Sequence, residues 1–409
     1  MSEAAHHAVG ASLHGWNREL RWLIAICLLV IVLVATLIAK GFTEAQTPGV
    51  TDNEIRIGVT MGLDGLIAPI GLDCVEGLRT AVEAANLKGG VHGRRIKLVG
   101  RNDGYEPLQC VLNTRDLIAK ESVFALASYL GTATSIKAQP IWTGAKVPVI
   151  GFFTGATPLR EPFNPYNFHV RASYRDEIHA LVNLYANDLR VKRVAILYQY
   201  DLFGQSVRRE TKELLAQHNL RLVAEGSYPR NTTEVESALK AILAGDPEAV
   251  IMIGTIAPLV KFVKLIRANT RQPVYLGSAS FVGGEIFLDT IGKEGEGCYV
   301  SHVMPLFSRE KSRVLLDFQR DTELVNPGFP VTSVGLEGYI YGRVLVEGLE
   351  RAGRKLTRER FIHALETIHG QPFGPGYDLS FSSKNHEGSS RVFLTQIRKG
   401  KYESLDVKD

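Results

Sequence analysis

The sequence holds only four cysteines in 409 residues, with no CxxC pair. Neither a zinc knuckle nor a dithiol redox centre is therefore expected. GxxxxGK[ST] is missing, and the glycines after the first apolar strand do not make GxGxxG. P-loop and dinucleotide readings fail on that ground. No basic run interleaved with aromatics occurs, and 47 Lys+Arg against 43 Asp+Glu leave a net charge of +4. Nucleic acid is not an expected partner. His169, His302 and His386 lack metal-ligand spacing, and no Ser/His/Asp or Cys/His arrangement is legible. Asp103 and Glu106 fit a helix-capping turn better than an acid/base pair. No metal, cofactor or catalytic set is expected, and the chain reads as a non-enzyme.

What is present begins with an apolar run. From Trp22 to Ala39 eighteen residues pass without a charge, and Arg18 and Arg21 stand before them. The positive-inside tendency places the amino end in the cytoplasm. As a helix the run spans about 27 Å, enough for a bilayer core. Thr43-Glu44-Ala45 offers a small-x-small cleavage site before Gln46. Residues 1–21 read as a cytoplasmic n-region, 22–39 as a signal or anchor helix, and 40–52 as a linker. Both cleavage and retention fit. Cys27 follows Ile26 rather than a small residue, which excludes lipoprotein processing. His6, His7 and His14 read as solvated tail residues. The remainder is exported: periplasmic, either released or held at the inner membrane by residues 22–39.

Export permits disulfides. Cys74 lies near the start of the first expected helix and Cys110 near the start of the second. If those helices follow adjacent strands, both starts share one edge of the sheet. A bridge and two separate buried thiols both remain open. Cys298 is expected as a buried strand residue.

Hydrophobic residues make up 45% of the chain, which implies a real core. Glu54 to Thr60 alternates into a strand, and a helix follows from about Cys74 to Leu87. Arg95 to Val99 is the next strand. Val123 to Ala127 and Val147 to Phe152 are strands that end in hydroxyl-rich turns, Gly131-Thr132-Ala133-Thr134-Ser135 and Thr154-Gly155-Ala156-Thr157. Free backbone N–H groups and hydroxyls at such strand ends suit a small polar ligand. Near Phe168 to Ala172 the alternation restarts, with strands at Val194–Tyr198, Leu222–Glu225, Ala249–Gly254 and Val274–Gly277. A helix is expected over Val331 to Ala352, and strands and turns over Tyr377–Phe381 and Val392–Arg398. The fold class is α/β, as two doubly wound units.

Two such units behind an export signal resemble type I periplasmic binding proteins, specifically the branched-chain amino acid (leucine/isoleucine/valine) binding family of ABC importers. The segments carrying the resemblance are NLKGGVHGRRIKLVGRNDGYEP (86–107), GTATS (131–135), GFFTGATPLR (151–160), NPYNFHVRASY (164–174) and YQYDLFGQS (198–206). The resemblance implies two Rossmann-like lobes joined by three crossovers. Lobe one would hold 53–171 and 303–370, and lobe two 172–302 and 371–409. A ligand would bind between them by hinge closure and be delivered to an inner-membrane permease. A monomer is implied. Thr132 and Thr134, with Thr154, Gly155 and Ala156, fall on the lobe-one ligand loops. In lobe two, Phe203 stands where amino-acid binders place a tyrosine, and Ile256 where many carry an aromatic. Ala279 falls where they carry the acid that pairs with the α-ammonium.

An ammonium buried without a carboxylate costs several kcal/mol, which offsets much of the ~8 kcal/mol of a micromolar affinity. A carboxylate-type ligand with an apolar or aromatic body is expected, rather than an α-amino acid. The competing expectation is that Asp201, Glu285 or Asp64 replaces the missing acid. A tethered ligand sensor and an exported enzyme are the other function classes kept open.

Overall fold

The computed structural model describes residues 22–32, 47–306, 312–374 and 376–405. Residues 22–32 form a short exposed apolar helix, α1, and belong to a unit separate from the body that starts at Thr47. Among the described residues no helix is long and apolar enough to cross a membrane. The rest of the expected 22–39 span, the n-region and most of the 40–52 linker lie outside the described residues.

The body begins with β1 (Glu54–Met61), α2 (Ala68–Leu87), β2 (Arg95–Asn102), α3 (Pro107–Ala119), β3 (Ala125–Leu130), α4 (Thr132–Gly144), β4 (Val149–Phe153) and β5 (Asn167–Phe168). These strands make a parallel five-stranded sheet in the order β2-β1-β3-β4-β5. β3 and β4 are buried along their whole length, as central strands covered by helices on both faces must be.

A second run follows: α5 (Tyr174–Asn183), β6 (Arg193–Gln199), α6 (Leu202–Gln217), β7 (Arg221–Tyr228), α7 (Glu236–Ala244), β8 (Ala249–Ile253), α8 (Ile256–Asn269), β9 (Tyr275–Ser278), α9 (Gly284–Ile291) and β10 (Tyr299–His302). Then come α10 (Arg313–Val325), α11 (Ser333–Ala352), α12 (Arg358–Glu366), β11 (Phe393–Arg398) and β12 (Lys401–Ser404). The second sheet has seven strands, ordered β12-β11-β10-β9-β8-β6-β7. It is parallel except where β11 pairs with β10 and β12. The fold is two α/β lobes, as the sequence pattern implies.

Helices α10 and α11 pack on α2 and so return the chain to the first lobe. The α2–α11 contact is backbone-close. A Cβ on Gly77 would lie 1.9 Å from the Gly335 carbonyl, and one on Gly338 would lie 2.0 Å from that of Cys74. Only glycine allows that approach.

Three expectations change. The first helix starts at Ala68, with Pro69 in its opening turn, so Cys74 sits well inside it. Tyr377–Phe381 is not a strand; it is irregular chain whose Leu379 and Phe381 amides bond the Gly370 and Ile368 carbonyls, and an isolated bridge, Ser382–Asn385, follows it. The Cys74–Cys110 bridge is absent, both thiols being free and buried. The reason is topological. The β1-α2-β2 connection moves toward one edge and β2-α3-β3 moves back past β1, so right-handed crossovers put α2 and α3 on opposite faces. Cys74 packs in the core with Leu78 and Tyr341, while Cys110 packs with Tyr129 and Trp142 in another cluster.

Candidate functional site

The carboxyl ends of β3 and β4 carry the two hydroxyl-rich turns, and the structure brings them together. The Thr132 and Thr154 hydroxyls share a 2.7 Å hydrogen bond, with both residues fully buried. The Thr134 hydroxyl instead donates back to the carbonyls of its own turn, Leu130 and Gly131. Gly155 accepts from the Tyr174 amide at 2.8 Å, which seats this loop against the start of α5. Ala156 is buried beside it.

The second lobe contributes Phe203 from the first turn of α6, Ile256 from that of α8, and Ala279 from the end of β9. All three are buried. The Phe203 ring lies 5.1 Å from Tyr174 and 4.8 Å from Phe281. Phe281 follows Ala279 by two residues and meets Phe153, at the end of β4, edge-on at 5.7 Å. Ile256 follows Thr255, whose amide donates to the Tyr228 hydroxyl at 3.1 Å. There Tyr228 donates to Gln199, and the Gln199 amide reaches the Tyr105 hydroxyl at 3.5 Å. Tyr105 is also 6.2 Å from Phe281.

Arg171 stands at the centre, in the segment that crosses between the sheets. It is fully buried, 3.2 Å from Glu177 of α5 and 3.4 Å from Glu337 of α11. Burial opposes its charge, but the two carboxylates outweigh burial and hold its pKa above the usual value. Glu177 also accepts from the Ser280 amide at 2.7 Å and the Ser301 hydroxyl at 2.6 Å. Glu337 is different. Burial pushes its carboxyl up, against the Arg171 charge and the Tyr341 hydrogen bond. The Tyr341 hydroxyl faces two acceptors, the Phe152 carbonyl at 3.0 Å and a Glu337 oxygen, yet has one hydrogen. Arg171 thus faces two buried carboxylates, of which Glu177 is the more fully bonded.

The acids proposed to replace the one missing at Ala279 are engaged elsewhere. Asp201 caps α6 through the Phe203 and Gly204 amides and pairs with Arg230. Glu285 accepts from the amide and hydroxyl of Ser333. Asp64 is exposed and accepts from Asn102. Within the Arg171 cluster, the buried Nε of Arg171 has no hydrogen-bond partner among the described residues. A rim contact closes the same side, where the Arg230 guanidinium lies 3.6 Å from the Tyr105 ring centre and bonds the Tyr105 carbonyl.

Sequence reasoning reached Thr132, Thr154 and Phe203 but missed Tyr105, Phe153, Arg171, Tyr174, Phe281 and Glu337. Arg171 and Tyr174 lay in the segment NPYNFHVRASY, and a charge followed by an aromatic in an apolar crossover was the available signal. Glu337 gave none, because a carboxylate on a helix reads as solvent-facing until its neighbours are known.

The family model described as periplasmic binding protein matches residues 54–401. A Leu/Ile/Val-binding protein homolog 7 of Brucella abortus is 21% identical over 360 residues, covering 85% of this chain and 90% of that relative. Among solved structures, a possible leucine/isoleucine/valine-binding protein from Rhodopirellula baltica superposes with a TM-score of 0.82 at 29% identity, covering 88% of this chain and 98% of that one. A substrate-binding periplasmic protein from Ralstonia solanacearum gives 0.78 at 29% identity, covering 84% and 97%.

Proposed function

The chain belongs to the type I periplasmic binding proteins, the family of the leucine/isoleucine/valine-binding proteins, and we propose that it captures a small carboxylate-type ligand between its lobes for an ABC importer. The family places its work outside the cytoplasm as a solute-binding protein. The finer reading is ours: a monomeric receptor, not an enzyme, whose ligand has an apolar or aromatic body and no α-ammonium.

One observation carries the ligand class. Each carboxylate around the candidate site is paired with an arginine or bonded to amide and hydroxyl donors, so none is left free to meet an ammonium. The buried Nε of Arg171 lacks a hydrogen-bond partner among the described residues, and it suits an acceptor head. The rings of Phe153, Tyr174, Phe203 and Phe281 suit an apolar body. Within this reading Thr132, Thr154, Gly155 and Ala156 face the ligand from lobe one, and Phe203, Ile256 and Ala279 from lobe two. Thr134 contributes by shaping its turn. In this reading lobe one holds 53–171 with 303–370, and lobe two holds 172–302 with 371–409.

Thermal unfolding of the purified chain against leucine, valine, benzoate, phenylacetate, hexanoate and the matching amides tests the proposal. A ligand at 100 times its dissociation constant adds about 2.7 kcal/mol to the folded state, a visible shift. Benzoate, phenylacetate or hexanoate shifts the transition and leucine does not. A leucine or valine shift overturns the ligand class; Glu337 would then face the ammonium, and Glu337→Gln would abolish that shift.

A further inference from the structure

Five side chains close a circuit between the lobes. Arg171 lies 5.1 Å from the Phe153 ring and 5.7 Å from the Tyr174 ring. Phe153 meets Phe281 at 5.7 Å, Phe281 meets Phe203 at 4.8 Å, and Phe203 meets Tyr174 at 5.1 Å. Phe281 is the member that fills the middle. It is 1% exposed and touches rings of both lobes, with Phe153 and Tyr105 on one side and Phe203 on the other.

Its carrier differs from the rest of the circuit. Phe153 ends a central strand, Tyr174 opens α5 and Phe203 lies in α6, whereas Phe281 rides a three-residue 3-10 turn, Ser280–Val282. That turn is followed by two glycines of positive φ, Gly283 at +79° and Gly284 at +48°. Backbone freedom at these glycines lets the turn move without moving a sheet. Ser280 is the only residue of the turn tied into the Arg171–Glu177 cluster, through its amide and hydroxyl.

We propose that Phe281 is a specificity-determining gate. Its ring holds the place that the apolar body of a ligand takes, and the ligand enters by displacing it. The proposal rests on the carboxylate reading above and narrows it to one ligand shape. Only a planar ring of similar size restores the contacts with Phe153, Phe203 and Tyr105 that the displaced ring gives up, since aromatic pairs gain from edge and offset geometry beyond area alone. An aliphatic chain restores area without that geometry. The ligand's acceptor head then falls beside the buried Arg171 Nε, which has no hydrogen-bond partner among the described residues. The ligand class is therefore an aromatic carboxylate.

The test compares the purified chain with Phe281→Ala and Phe281→Leu, using calorimetry with benzoate, phenylacetate and hexanoate and X-ray scattering without ligand. Phe281→Ala should bind benzoate or phenylacetate at least tenfold tighter, because no ring has to leave, and Phe281→Leu should fall between. The ligand-free scattering radius should rise in Phe281→Ala, whose lobes lose their shared ring, and stay near wild type in Phe281→Leu. A Phe281→Leu protein that folds but binds aromatic carboxylates tenfold more weakly overturns the gate, as does an unchanged radius in folded Phe281→Ala. If no protein binds any carboxylate, the ligand reading fails, and the scattering result alone decides whether Phe281 holds the lobes together.

Discussion

Arg171 and Glu337 lie 3.4 Å apart with both side chains buried, and they join the first interlobe crossing to the opening of α11. Their roles are unequal. Arg171 is the cluster's positive charge, whereas Glu337 is one of two carboxylates that share it and also accepts from Tyr341. Arg171→Ala leaves Glu177 buried without its counter-charge and should destabilise the chain by about 3–5 kcal/mol. Glu337→Gln keeps an oxygen that can accept from Tyr341 and leaves Glu177 opposite Arg171, and should cost less than about 1.5 kcal/mol. Urea unfolding of both variants checks this. Equal losses would mean that Arg171 depends on Glu337 as much as on Glu177.

Gly151 sits inside β4 at φ +78°, and a Cβ there would lie 2.3 Å from the Tyr341 ring. Tyr341 is pinned by its bond to the Phe152 carbonyl, so it cannot yield. Gly151→Ala should cost more than about 3 kcal/mol, as combined backbone strain and overpacking. Gly144, at the last position of α4, has open space around its Cβ position. There Gly→Ala should be neutral or stabilise by up to about 1 kcal/mol. Thermal unfolding of the pair separates them, and a harmless Gly151→Ala would contradict the close approach of Tyr341.

Cys74, Cys110 and Cys298 are free and buried, and burial pushes each thiol up. A maleimide should label none of the three in the native chain and all three in denaturant. Reductant should leave the unfolding midpoint unchanged. A midpoint that falls with reductant would restore a bridge.

The fold was legible because it is written in short-range pattern. Apolar runs at β3 and β4, and the long periodic helix that became α11, announce themselves without knowledge of neighbours. The meeting of Thr132 and Thr154 was legible for a related reason, since turns that follow neighbouring parallel strands lie along one edge of the sheet. Cys74 and Cys110 misled because sequence gives the edge on which a helix starts but not the face it crosses; that depends on strand order, β2-β1-β3, which is a tertiary fact. Glu337 and Phe281 were invisible for the same cause. Their surroundings come from residues more than a hundred positions away, Arg171 in one case and Phe153 and Tyr105 in the other.

Asp103 offers a pH test beside the site. Burial pushes its carboxyl up to about 6, against hydrogen bonds from the Thr60 hydroxyl and the Tyr105 amide. Its unfolded value is about 3.9, so the folded chain binds this proton more tightly than the unfolded one. Stability from this group is full below about pH 4, falls as pH rises toward 6, and is level above. A gap of about two pKa units corresponds to roughly 3 kcal/mol as an upper bound. Asp73, also pushed up to about 6 by burial, acts in the same direction. His302 acts oppositely: burial lowers it to about 3, so its contribution is lost as pH falls from about 6.5 toward 3. Asp103→Asn cannot ionise, yet its amide oxygen can accept from Tyr105 and its nitrogen can donate to Thr60. Relative to wild type, the variant should therefore gain stability between pH 4 and pH 7, read as a rising difference in urea midpoint. Because the His302 contribution is common to both proteins, it cancels in that difference. A constant difference across this window would show that Asp103 titrates in the fold as it does in the open chain, and its burial would then impose no cost on the charge.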